Sequence, residues 1–188
     1  MKGDLLDAQT MRDAVRGCQW VAHVASPFVI EEPADENELI KPAVEGTLSV
    51  LRACKEFGVK RVCVTSSVAA VASPDPRTEP DEFDESTWSD PDNNDTMTAY
   101  SKSKTFAEKA AWDFMKEAEK EGSDLQMSVI NPVFVIGPTL VGGTFASGKI
   151  LSKIMTGEIP KFPKISFGVV DVRNVAEAHV RALQRDEA

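Results

Sequence analysis

Tyr100 and Lys104 stand four residues apart in the run Tyr100-Ser101-Lys102-Ser103-Lys104. On a helix that spacing puts a phenol and an ammonium on one face. A tyrosine ordinarily titrates near pH ~10, too high for rapid proton exchange at neutrality, and a neighbouring cation favours the phenolate and lowers that value. The pair is therefore expected to make a general acid/base. The pattern alone is common on ordinary helix surfaces, so its context decides. Thirty-three residues before Tyr100, three hydroxyl side chains follow one another, Thr65-Ser66-Ser67.

The elements around these residues must bring them together. Lys104 to Ala118 is rich in good helix formers, so Tyr100 and Lys104 open a helix. Arg61-Val62-Cys63-Val64 is a short, β-branched apolar run that reads as a buried strand ending at the hydroxyl cluster, and carboxyl ends of strands in open α/β sheets are where ligands sit. Met1 to Leu6 reads as the tail of a strand. Asp7 caps a helix over Ala8 to Val15 that Gly17 ends. Trp20 to Ala25 reads as a second buried strand closed by Ser26-Pro27, with His23 as a packed core residue. Leu39, Ile40, Val44, Leu48, Leu51 and Cys54 recur at helical intervals, and Phe57-Gly58 ends that helix. Pro42 argues against a regular helix beginning before it. Leu125 to Ile130 reads as a further strand, broken at Asn131-Pro132. Ser147 begins a helix that ends near Gly157, Ile165 to Val170 is a strand, and Asp171 caps a last helix from Val172 to Leu183 holding His179. The alternation of strand and helix predicts an α/β fold with a parallel sheet.

Five islands resemble the extended short-chain dehydrogenase/reductase family, also called the NAD-dependent epimerase/dehydratase superfamily. They are Gly3-Asp4-Leu5, His23 to Pro27, Val64 to Val68, Tyr100 to Lys104 with Glu108 to Trp112, and Asn131-Pro132 with Val135 to Pro138. Within the family the wording is similar to the dihydroflavonol, cinnamoyl-CoA and methylglyoxal (ketone/aldehyde) reductase group. The resemblance implies a Rossmann-like doubly wound parallel sheet: residues 1–138 form part of an NAD(P)-binding domain, 139–164 part of a substrate subdomain, and 165–188 a returning strand and helix. It also implies that Tyr100 protonates a carbonyl oxygen, that Ser67 hydrogen-bonds it, and that Lys104 holds the nicotinamide ribose. Asp4 and Leu5 are expected at the adenine, Val24, Ala25 and Ser26 at the ribose and diphosphate, Thr65 and Ser66 on the cofactor, and Pro132 and Val135 facing the nicotinamide. The family's Gly-x-x-Gly-x-x-Gly fingerprint appears nowhere in the chain. The expectation is a fragment or truncated gene model lacking the first strands and the carboxyl-terminal end of the fold. Family habit favours NADPH, with NAD open because the segment that distinguishes them is absent. The expected function is an NADP(H)-dependent oxidoreductase that reduces a ketone or aldehyde to an alcohol. A nucleotide-sugar epimerase/dehydratase or hydroxysteroid dehydrogenase, and a non-catalytic remnant, are the alternatives. The run Val68-Ala69-Ala70-Val71-Ala72-Ser73, where sugar epimerases usually carry Val-Tyr-Gly, favours the carbonyl reductases.

Composition narrows the partners. The 188 residues carry a formal charge of -9 at pH 7 and are 42% hydrophobic, ordinary for a globular chain with one core. That acidity argues against nucleic acid or an anionic membrane, because phosphate binding needs clustered Lys and Arg. A small carbonyl or alcohol substrate is the expected partner. Cys18, Cys54 and Cys63 are odd in number and lack metal-ligand spacing, so free buried thiols in a reducing compartment, the cytosol, and no metal are expected. No apolar run approaches membrane-spanning length. Glu31 to Glu38 reads as a solvated acidic turn, Trp88 as an anchor for the long polar loop after Ser73, and Gly142-Gly143-Thr144 as a flexible loop rather than a phosphate cradle.

Overall fold

A computed structural model of the protein describes residues 2–28, 32–73, 82–93, 97–140, 145–159 and 168–185. Helix α1 (Ala8–Val15) starts where Asp7 accepts the backbone N–H groups of Gln9 and Thr10, and strand β1 (Trp20–His23) follows it. Helix α2 (Asn37–Glu56) leads to strand β2 (Arg61–Thr65), and helix α3 (Ala99–Lys120) to strand β3 (Gln126–Ile130). The three strands pair in parallel in the order β1-β2-β3, with Ala22 beside Cys63 and Cys63 beside Ser128. Strand β4 (Phe134–Ile136) and strand β5 (Val169–Asp171) form a second parallel pair, with helix α4 (Ala146–Met155) between them in sequence and helix α5 (Val172–Gln184) after them.

Strand alternation explains the layers. Val62 and Val64 point to one face, where Val50, Leu51 and Cys54 of α2 and Ala111 of α3 close the core. Arg61 and Thr65 serve the other face, where the Arg61 guanidinium donates to the Leu183 carbonyl at 3.1 Å and Thr65 Oγ1 meets His179 Nε2 of α5 at 2.6 Å. Helices thus cover both faces of a parallel sheet, the doubly wound architecture. Close packing of α2 needs a glycine: a Cβ on Gly46 would lie 3.0 Å from the Leu5 Cβ. The small residue there serves packing, and its partner is a side chain.

Four expectations change. Met1 lies outside the described residues, and Lys2 to Leu6 form no strand, because the Asp4 backbone is already used: its N–H donates to Thr10 Oγ1 at 3.0 Å and its carbonyl accepts from the Asp7 N–H at 3.0 Å. Helix α2 begins five residues before Pro42, since burial of Leu39 and Ala43 outweighs the single backbone bond that the proline ring removes. Cys18 is exposed, while burial pushes the Cys54 thiol up to about 12 and the Cys63 thiol to about 11. The strand before α5 is confined to Val169–Asp171; Ile165 to Phe167 lie outside the described residues, as do Glu31, residues 74–81 and 94–96 of the polar loop, and Gly142-Gly143-Thr144.

The loop after β2 is held chiefly by Ser89, the neighbour of Trp88. Ser89 is 1% exposed; its hydroxyl donates to the Ala69 carbonyl at 2.9 Å and accepts from the Ser73 N–H at 2.9 Å. Trp88 is only half-buried, under the Lys109 ammonium at 5.3 Å from its ring centre. Ser89→Ala is expected to cost about 1–3 kcal/mol in urea unfolding, because two backbone groups lose their shared partner. Trp88→Ala should cost less, and the reverse ranking would refute this assignment of the anchor.

Candidate active site

The helix that carries Tyr100 and Lys104 is fixed at its first residue. Thr98 caps it by accepting the Ser101 N–H at 3.1 Å, and Glu32 Oε1 accepts the Ala99 N–H at 2.6 Å, a carboxylate placed at the positive end of the helix dipole. Glu36 adds an ion pair with Lys102 at 2.8 Å. The acidic turn that the sequence presented as solvated surface therefore contributes two carboxylates that clamp the start of α3.

Opposite this helix, β2 and β3 run past their formal ends side by side. The Ser66 N–H donates to the Ile130 carbonyl at 2.8 Å and the Val68 N–H to the Pro132 carbonyl at 3.0 Å, which holds Ser67 between two backbone bonds. Its hydroxyl caps a short 3-10 turn over Val68–Ala70 and acts on the Tyr100 phenol, favouring its ionised form. The Asn131 side-chain amide donates to the Ser67 carbonyl at 3.2 Å and to Glu108 Oε2 at 2.8 Å. Ser66, Ser67, Tyr100, Lys104 and Pro132 are in this way gathered at the carboxyl ends of β2 and β3.

The electrostatics differ from the sequence expectation at Tyr100. Burial raises its phenol above the ordinary value, and the hydrogen bond from Ser67 only partly offsets this. Lys104 does not lower it, because the ammonium lies 5.8 Å from the ring centre and donates to the Thr65 carbonyl at 3.4 Å. Lys104 itself is 6% exposed, and burial brings its ammonium down to about 8 against an opposing pull from Glu108. A protonated phenol beside a buried, sparsely bonded ammonium suits an acid that gives up a proton. Phe28 meets the Tyr100 ring edge to face at 5.3 Å.

The other predicted site residues divide by location. Thr65 turns its hydroxyl to His179 and contributes its carbonyl to Lys104. Ser66 Oγ is buried without a hydrogen-bond partner among the described residues. Leu5, Val24 and Ala25 line a groove of about 470 Å³ along the outer edge of β1, with Ser26 just beyond it. Asp4 Oδ1 accepts the Leu6 N–H at 2.9 Å, the turn role its position allowed. Val135 lines a separate apolar cavity of about 530 Å³ with Phe145 and Val172. Sequence reasoning missed Glu32, Glu108 and the side chain of Asn131. Only Glu108 left a local signal, four residues beyond Lys104 on the face that carries Tyr100. Among the described residues no three His, Cys, Asp or Glu side chains gather to hold a metal ion, and no helix is long and apolar enough to cross a membrane.

Comparison with known proteins follows the same lines. The chain is 42% identical over 189 residues to cinnamoyl-CoA reductase 1 of Petunia hybrida, covering 100% of this chain and 54% of that protein. It is 41% identical over 179 residues to a putative NADPH-dependent methylglyoxal reductase of Candida albicans, covering 87% of this chain and 51% of that one. The chain thus spans about half the length of the curated relatives it matches. The crystal structure of yeast methylglyoxal/isovaleraldehyde reductase complexed with NADPH superposes with a TM-score of 0.80 at 30% identity, over 98% of this chain and 59% of that chain. The resemblance read from the five islands and the Rossmann-like parallel fold both stand. With the family profile matching residues 1–186, the chain belongs to the 3-beta hydroxysteroid dehydrogenase/isomerase family.

Proposed function

We propose that this chain is the catalytic part of an NADPH-dependent reductase that converts a ketone or aldehyde to an alcohol. The observation that carries the reading is the gathering of Ser67, Tyr100 and Lys104 at the carboxyl ends of β2 and β3, with the Ser67 hydroxyl acting on the Tyr100 phenol and Lys104 one helical turn from the tyrosine. Two features suit a nicotinamide ribose. The buried Lys104 ammonium has one long hydrogen bond, at 3.4 Å, among the described residues, and the buried Ser66 hydroxyl has none. Both need polar partners of the kind that ribose hydroxyls supply. Bound NADPH supplies the hydride. Tyr100, kept protonated by burial, delivers the proton to the carbonyl oxygen, Ser67 holds that oxygen in place, and Lys104 anchors the ribose.

The test is consumption of NADPH by a chain extended to the length of its relatives, with small aliphatic and aromatic aldehydes and ketones, run beside nucleotide sugars and hydroxysteroids. Turnover of carbonyl compounds alone is expected. Turnover confined to steroids or nucleotide sugars would replace this reading with another activity of the superfamily, and no binding or turnover at all would favour a non-catalytic chain.

A further inference from the structure

Tyr100, Lys104, Glu108 and Trp112 follow one another at intervals of four along α3, so a carboxylate stands on the face that carries the phenol and the ammonium. Glu108 is 6% exposed and its carboxylate is held on both oxygens: Asn131 Nδ2 donates to Oε2 at 2.8 Å and Trp112 Nε1 to Oε1 at 3.4 Å. The same Asn131 amide donates to the Ser67 carbonyl. Burying a carboxylate is costly unless it is paired or hydrogen-bonded, and helix packing alone gives no reason to choose a charged group at this position. We propose that Glu108 is a positioning residue with two tasks: through Asn131 it fixes the Ser67 backbone against the helix bearing Tyr100, and it supplies the negative charge that balances the Lys104 ammonium.

The groups that face Lys104 support the second task. They are Tyr100 and Glu108 on its own helix, His23 from β1, and the Thr65 carbonyl from β2, whose side chain is held by His179 of α5. His23 is neutral at physiological pH, since burial and Lys104 bring it to about 4. Glu108 is then the negative charge acting on the ammonium among the described residues. The first task follows from geometry. Ser67 must keep its hydroxyl on Tyr100; its carbonyl already accepts the Ala70 N–H at 2.9 Å and its peptide is held through the Val68 N–H by Pro132, and Asn131 adds the bond that ties this turn to Glu108 on α3.

The chain contains one tyrosine, so phenolate absorbance reports Tyr100 alone, and competitive acetylation followed by mass spectrometry reports Lys104 alone. Glu108→Gln removes the charge and keeps one acceptor oxygen, which still takes the Asn131 bond, while its amide nitrogen gives up the longer one from Trp112. It is expected to lower the Lys104 titration midpoint by about one pH unit, making the amine acetylate up to ~10-fold faster near neutrality, with the Tyr100 midpoint unmoved. Asn131→Ala keeps the charge and cuts the link to Ser67. It is expected to raise the Tyr100 midpoint, as the Ser67 hydrogen bond loosens, and to leave Lys104 in place. Should Glu108→Gln not fold by circular dichroism, Glu108→Asp, with its charge drawn back by one methylene, must still lower the Lys104 midpoint by a smaller amount. A Lys104 midpoint indifferent to every Glu108 variant, or a Tyr100 midpoint indifferent to Asn131→Ala, overturns the proposal. The proposal rests on the Ser–Tyr–Lys reading, but both titrations are read without turnover. Unmoved midpoints would refute the positioning role even in an active reductase, and a protein without carbonyl reduction would still give both readings.

Discussion

In a chain extended to the length of its relatives, Tyr100→Phe is expected to lower the rate of carbonyl reduction by ~10²–10⁴-fold while leaving NADPH affinity nearly unchanged. The substitution removes only the hydroxyl. The ring stays, and with it the edge-to-face contact to Phe28 at 5.3 Å and the surface beneath Lys104 at 5.8 Å from its centre. The cofactor's expected anchors, Lys104 and Ser66, lie outside the change. Burial keeps the phenol protonated well into the alkaline range, so in the reducing direction it is loaded as an acid at neutral pH. The loss should therefore fall on kcat with little change in the KM for NADPH, the signature of an interaction made in the transition state. Lys104→Ala should differ by weakening cofactor binding as well. Steady-state kinetics together with calorimetric NADPH titration separate the cases, and a Tyr100→Phe protein that keeps most of its activity would remove Tyr100 from the mechanism.

Local pattern carried most of the fold and stopped at the long-range contacts. The apolar run ending at Thr65 and the helix formers after Lys104 are properties of neighbouring residues, so β2 and α3 could be read directly. Asp7 and Asp171 cap their helices as their positions predict. The charge state of Tyr100 could not be read in this way. Spacing indicated a cation nearby, but the sign of the shift depends on how deeply the fold buries the phenol and on where Nζ comes to rest, and burial wins. Glu32 and Asn131 were equally invisible. Glu32 reaches Ala99 across 67 residues and Asn131 reaches Ser67 across 64, and no periodicity connects such pairs. Lys2 to Leu6 failed for a related reason: its residues suit a strand, yet the Thr10 hydroxyl, a helical turn into α1, takes the Asp4 N–H.

His23 is expected to make the protein acid-labile. It lies inside β1, 7% exposed, with Nε2 at 3.3 Å from Thr47 Oγ1 of α2. Burial first, and the Lys104 charge second, lower it from 6.5 to about 4. As pH falls through 6.5 the unfolded chain takes up a proton that the folded chain refuses until about 4, so stability is lost across that window and the loss is complete below it. The difference corresponds to about 3 kcal/mol, a large part of the stability of a domain this size. In urea unfolding, the advantage of the wild-type protein over His23→Asn should shrink by that amount from the top of the window to the bottom. The chain holds two histidines, so proton NMR follows His23 and His179 separately. Lys104→Met removes the second cause and keeps the first; it should move the His23 midpoint upward from about 4 without restoring 6.5. A His23 resonance that titrates near 6.5 in the native protein would mean that water reaches the ring, and the acid lability attributed to it would then need another source.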